Sequence, residues 1–135
     1  MYWDQDLIEC QFKCSNRHFS GQVRIYAGYD DLPRLAEALR GFPRSSTDSR
    51  TVELGTFRPD HGGGGVRLHL FCLDSVGHVA IDIKLRGDRC KAMGEVESVA
   101  ARVRVEAAAI DSFVSELKDI DLARGKKTAF LLASD

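Results

Sequence analysis

The chain has 135 residues, of which 44% are apolar and 29% charged, with a formal net charge of -1. A chain of this size can bury roughly two-thirds of its unfolded surface, so one domain needs no covalent or metal staple. No apolar run approaches ~18 residues, so no membrane span is expected, and a near-neutral chain lacks the basic field that usually accompanies nucleic-acid binding.

The start, MYWDQDLIEC, is acidic and has neither a basic segment nor an apolar stretch behind it, so no secretory leader is expected. That points to the cytoplasm and reduced thiols. Ile8, Cys10, Phe12 and Cys14 alternate with Glu9, Gln11 and Lys13, which predicts a strand over about Leu7 to Ser15. Asn16-Arg17-His18 makes a turn. Val23, Ile25, Ala27 and Tyr29 alternate with polar residues in a second strand, about Ser20 to Tyr29, antiparallel to the first.

Asp30-Asp31-Leu32-Pro33 opens a helix, with an aspartate to cap its free N–H groups and a proline tolerated in the first turn. Leu32, Leu35, Ala36 and Leu39 form its apolar stripe; Gly41 and Pro43 end it, and Phe42 packs back on the stripe. A third strand runs over Thr51 to Phe57 with Val52 and Leu54 inward. Gly62 to Gly65 lead into a strand rather than a helix and are followed by no Lys-Ser/Thr pair, so they read as a mobile hairpin tip, not a phosphate loop.

Val66 to Arg86 is the organising stretch. Val66, Leu68, Leu70 and Cys72 alternate in one arm and Val79, Ile81, Ile83 and Leu85 in the other. With Asp74 to Gly77 as the loop, Leu73 pairs with His78, Leu70 with Ile81, Leu68 with Ile83 and Val66 with Leu85. A one-residue slip would set Leu70 against Asp82 and turn the strand over. Gly87 to Gly94 is a connector. Glu95 onward fits either a long helix or a strand. Its valines favour a strand over about Glu97 to Ala107, followed by a helix over Ala109 to Ile120 with Ile110, Phe113, Val114 and Leu117 buried. Residues 121–135 form a tail whose Ala129 to Leu132 could dock as an edge strand or stay mobile.

The predicted order is ββαββββα: an α+β domain over residues 1–120, with one mostly antiparallel six-stranded sheet and both helices on one face. The opposite face then carries Arg24, Tyr26 and Phe71 together with Arg67, His69, Asp82, Lys84, Arg102 and Arg104. These last six are the candidate partner-binding residues. His69 lies opposite Asp82, and Arg67 opposite Lys84, with Asp82 within diagonal reach of Arg67. The like-charged pair is a candidate docking point for an acidic surface or a second copy of the chain. Cys10 and Cys14 lie ~13 Å apart along one strand face, too far for a disulfide or a shared metal. Cys72 falls on the core face, and Cys90 and His61 fall in loops. No metal site, cofactor motif or catalytic constellation is expected.

A wider pattern connects these elements: Asp31-Leu32, Leu35-Ala36, Leu39, Gly41-Phe42-Pro43, Leu54-Gly55, Asp74, Gly77-His78, Arg104-Val105-Glu106, Ile110-Asp111, Phe113 and Leu117. Over about Phe12 to Ile120 the chain resembles a group of small bacterial proteins that includes WapI-type immunity proteins. The matching positions are caps, turns and core residues, so the resemblance carries over no functional residue. It implies a cytosolic, non-catalytic α+β protein that binds and blocks a toxin domain. The expected function is therefore a protein-binding module with a protein partner or self-association and without nucleic acid or membrane. The alternatives are a small-ligand-binding protein or an enzyme using the His69/Asp82 pair.

Overall fold

The computed structural model describes residues 7–56, 64–87, 97–120 and 128–131. Its elements are β1 (Leu7–Ser15), β2 (Ser20–Gly28), α1 (Asp31–Leu39), β3 (Ser49–Gly55), β4 (Gly65–Cys72), β5 (His78–Arg86), β6 (Ser98–Glu106) and α2 (Ala107–Lys118). The α+β class and the element order hold. The single six-stranded sheet does not: β1 and β2 form a two-stranded sheet, and β3-β4-β5-β6 form a separate four-stranded antiparallel meander.

The predicted central hairpin has the expected register, Leu70 opposite Ile81, Leu68 opposite Ile83 and Val66 opposite Leu85. The Leu73 N–H donates to His78 O at 2.9 Å, and Gly77 takes φ +95°, as the four-residue loop requires. Leu70, Val79 and Ile81 are fully buried. On the same face lie Leu54 from β3 and Val103 and Val105 from β6. The helices add Leu35, Ala36, Leu39, Ile110, Phe113, Val114 and Leu117, and Phe42 follows α1 into the same core. The segment that fitted both periods is a strand through Glu106, after which α2 starts at once; the Ala107 N–H donates to Gly77 O and ties the helix to the β4–β5 turn.

Why two sheets? The meander exposes an apolar face four strands wide, and helices of nine and twelve residues cover only part of it. The β1–β2 hairpin covers the rest, laying Val23, Ile25 and Ala27 inward while β2 crosses over β3, β4 and β5. Gly64 makes that crossing possible. Its N–H donates to Arg24 O at 3.2 Å, and a Cβ there would stand 2.3 Å from Val23 Cγ2. Gly64 and Gly65 are therefore buried packing positions, not a mobile tip. Asn16 pins the far end of the hairpin: its Oδ1 accepts the His18 and Phe19 N–H groups, and its Nδ2 donates to Arg102 O at 3.0 Å.

Three local expectations change. No aspartate side chain caps α1. Asp30 holds the N-cap position without a side-chain bond, and Asp31 Oδ2 instead accepts the Gly28 N–H at 2.7 Å, closing the end of β2. β3 is shifted toward the N-terminus and stops at Gly55, whose φ is +73°. At its start Arg50 reaches back to the C-terminus of α1, donating to Ala38 O and Arg40 O, pairing with Asp48 and lying over the Phe42 ring. It thus serves the helix carbonyls that lack intrahelical partners. Thr128 to Leu131 form no strand: Ala129 and Leu131 pack on the core, and the Phe130 N–H donates to Glu116 of α2. The readings of Phe57, His61, Gly62, Gly63 and Cys90 lie outside the described residues.

Candidate functional site: the open face of the four-stranded sheet

In an antiparallel meander, directly paired residues share a face. The register places Thr51 with His69, Glu53 with Arg67, Arg67 with Lys84, His69 with Asp82, and Asp82 with Arg102; Arg104 pairs with Ala80. All six predicted binding residues therefore stand on one side of the sheet, away from the helices and the hairpin. Arg24 and Tyr26 do not join them. They belong to the other sheet, where Arg24 pairs with Glu9 at 2.9 Å.

The partners within this face differ from those read along the sequence. Asp82 is held by Arg102, whose Nε and Nη2 donate to its two oxygens at 2.6 and 3.0 Å. That pair of charge-assisted bonds holds the Asp82 carboxyl below its usual range, against the opposing effect of burial. His69 turns to Thr51, with Nδ1 and Oγ1 2.8 Å apart. Arg67 pairs with Glu53 at 2.5 Å rather than with Asp82. An Asp–His pair poised for proton transfer is thus not what these side chains form. They form a strip running from β4 to β6: the Arg102 guanidinium lies 5.1 Å from the centre of the Phe71 ring, and the His69 ring lies 5.6 Å from it. Arg86 continues the β5 row but is 3% exposed, its Nη1 donating to Thr56 O, so the face closes at that end.

At the other end is a cluster that sequence reasoning passed over. Asp74 Oδ1 accepts the Val76 and His78 N–H groups, and its Oδ2 pairs with His78 Nδ1 at 2.5 Å. His78 Nε2 lies 3.6 Å from Glu106 Oε1. The bond to Asp74, joined by the charges of Asp74 and Glu106, raises the His78 pKa. The signal in the sequence is an Asp four residues before a His across a tight turn. Thr51 and Glu53 were legible too, since Val52 and Leu54 facing inward leaves them facing outward.

A second feature lies between the helices and β1: a cleft of about 290 Å³ lined by Ile8, Tyr29, Leu32, Pro33, Glu37, Leu117, Lys118 and Ile120. Cys10, Cys14 and Cys72 are free thiols; burial raises the pKa of each, which lowers their reactivity. Among the described residues no group of His, Cys, Asp and Glu is placed to hold a metal ion, and no helix is long and apolar enough to cross a membrane. No family model, no curated protein and no solved structure matches the chain.

Proposed function

We propose that this chain is a non-catalytic, cytosolic protein-binding module of the immunity type, and that it binds its partner through the open face of the four-stranded sheet. One observation carries the reading. Both helices and the second sheet lie on the apolar side of the meander, and the opposite side presents a preorganised strip of Arg102, Phe71 and His69. Arginine and aromatic side chains fixed before binding are the groups that dominate protein interfaces, because little ordering entropy remains to be lost. The engagement of Asp82 by Arg102 and of His69 by Thr51 supports binding over catalysis. The resemblance to WapI-type proteins agrees with it.

The test is affinity capture with the wild type and with a Lys84→Glu/Arg104→Glu variant, both positions being exposed. The variant should keep the wild-type melting temperature and lose the captured partner. A variant that captures the same protein as the wild type would defeat the assignment of the face. The small-ligand reading has the cleft in its favour. Binding of an apolar fluorescent probe that Leu32→Asp abolishes and Lys84→Glu does not would support that reading instead.

A further inference from the structure

We infer that the outer edge of β1 pairs with itself: two copies of this chain join antiparallel about a two-fold axis at Gln11, continuing the β1–β2 sheet into a four-stranded one. This surface is separate from the open face proposed above, because β1 belongs to the other sheet.

β1 has β2 on one side, and among the described residues no backbone hydrogen bond reaches its other side. Two bonds fix the direction of its backbone groups. The Asn16 N–H donates to Phe19 O at 2.9 Å, so by the alternation of an antiparallel pair the even-numbered residues of β1 exchange bonds with β2. Arg24 O accepts the Gly64 N–H at 3.2 Å on the side of β2 away from β1, so its pairing partner Gln11 also turns its N–H and C=O away from β2. The outer edge therefore consists of the N–H and C=O groups of Leu7, Glu9, Gln11, Lys13 and Ser15. The strand runs nine residues in unbroken register, without a proline or a bulge. Edges of that length are normally blunted, because they template pairing with another strand.

The edge complements itself. Gln11 is the midpoint of β1, so pairing about it overlaps the whole strand and joins only residues whose backbone groups point outward. It sets Glu9 opposite the second copy's Lys13, both exposed and on one face, and symmetry makes that opposite-charge pair twice. Glu9 already pairs with Arg24 at 2.9 Å, and a carboxylate can accept from a second cation. On the inner face Phe12 meets the second copy's Cys10, which extends the cover over a row whose Cys10, Phe12 and Cys14 are only partly buried. A slip of two residues either way would set Glu9 against Gln11 or Ser15 and shorten the overlap. The other two edges are less suited. β6 has Arg102 at its midpoint, which would face a second Arg102, and the Asn16 side chain already occupies Arg102 O. β3 is shorter, and pairing about its midpoint would set Arg50 against Leu54, while Arg50 is turned to the carbonyls after α1.

The experiment is sedimentation equilibrium combined with residue-resolved amide exchange on the full chain. Raising the concentration to about 1 mM should produce a dimer. It should slow exchange at Glu9, Gln11 and Lys13, which a single copy leaves open, and not at Cys10 or Phe12, which β2 already holds. Glu9→Lys and Lys13→Glu should each weaken the dimer about tenfold, because each creates two like-charged pairs across the axis. The combined Glu9→Lys/Lys13→Glu variant should return to within about twofold of the wild type. Lys84→Glu/Arg104→Glu, on the open face, should dimerise like the wild type. Four results would overturn the inference: a chain still monomeric at about 1 mM, a dimer in which those three amides exchange freely, a double swap that does not restore association, or a dimer lost in Lys84→Glu/Arg104→Glu. A chain that stays monomeric while a terminally blocked Thr-Val repeat peptide protects the three amides would assign the edge to a different strand and overturn it as well.

Discussion

The two hairpins, β1–β2 and β4–β5, have strands of similar length, the same antiparallel pairing and the same alternation of apolar and polar residues, yet they do different work. β4–β5 lies at the centre of a sheet, with neighbours on both edges and its inward row, apart from the partly buried Cys72, buried to 0–6% exposure. β1–β2 lies across that sheet. Its inner strand is buried at Val23, Ile25 and Ala27, while Cys10, Phe12 and Cys14 of the outer strand are only half-covered. The turns differ as well. Asn16 closes one and reaches Arg102 across the sheets; Asp74 closes the other and reaches a titratable His78. Alternation thus says which side of a strand is apolar. What lies against that side is decided by the area left to cover.

The largest effect should separate the hairpins by burial. Leu70→Ala or Ile81→Ala should cost about 2–5 kcal/mol, the range for truncations in a closed core. Phe12→Ala should cost only about 1–2 kcal/mol, since that ring is only partly buried at the edge of the core. Equal losses in urea melts would mean that the hairpins carry the core alike.

Next comes the crossing itself. Gly64→Ala places a methyl against Val23 Cγ2, Arg24 O and Arg86 O, two of them backbone atoms that cannot swing aside. A loss of about 1–3 kcal/mol is expected, as for overpacking. At Gly21, where the nearest atom is the flexible Leu85 Cδ1 at 3.2 Å, alanine should cost less than about 1 kcal/mol. A harmless Gly64→Ala would show that the sheets do not meet this closely.

A smaller effect is expected at the turn of the first hairpin. Asn16→Ala removes the bond to Arg102 O and the local turn bonds, for about 0.5–1.5 kcal/mol. Asn16→Asp keeps the turn acceptor but loses the donor to β6, so a loss intermediate between wild type and alanine should appear in thermal melts.

The smallest effect distinguishes the turns by pH. The His78 pKa is raised by Asp74 first and by Glu106 second, with Arg104 opposing. Its contribution is therefore complete below the ordinary imidazole value of about 6.5 and fades as pH rises through the raised folded value. The Asp74 pKa is lowered, chiefly by the His78 bond, so its share is present above the ordinary carboxylate value and lost as pH falls through the lowered one. Both groups are exposed, so the shift in stability is small. Following the His78 ring by NMR should give a midpoint above 6.5, and Asp74→Asn should bring it down. A midpoint unmoved by Asp74→Asn would refute the pairing.

Much of this was decided locally. The β4–β5 register follows from alternation plus one turn, because a slip of one residue would bury Asp82. The α2 stripe and the α1 stop at Gly41 follow from spacing and from a φ of +72° that favours glycine. Pairing across β3 to β6 then fixed which residues share the open face, so Arg67, His69, Asp82, Lys84, Arg102 and Arg104 could be named from sequence alone. Which of them touch could not. The Asp82 oxygens were within reach of His69, Arg67 and Arg102, and the choice fell to Arg102, whose planar fork matches a carboxylate with two bonds. The split into two sheets was equally beyond local reading. The same alternating strands satisfy their inward rows at a sheet's edge or across its face, and only the area left uncovered by two short helices selects the second.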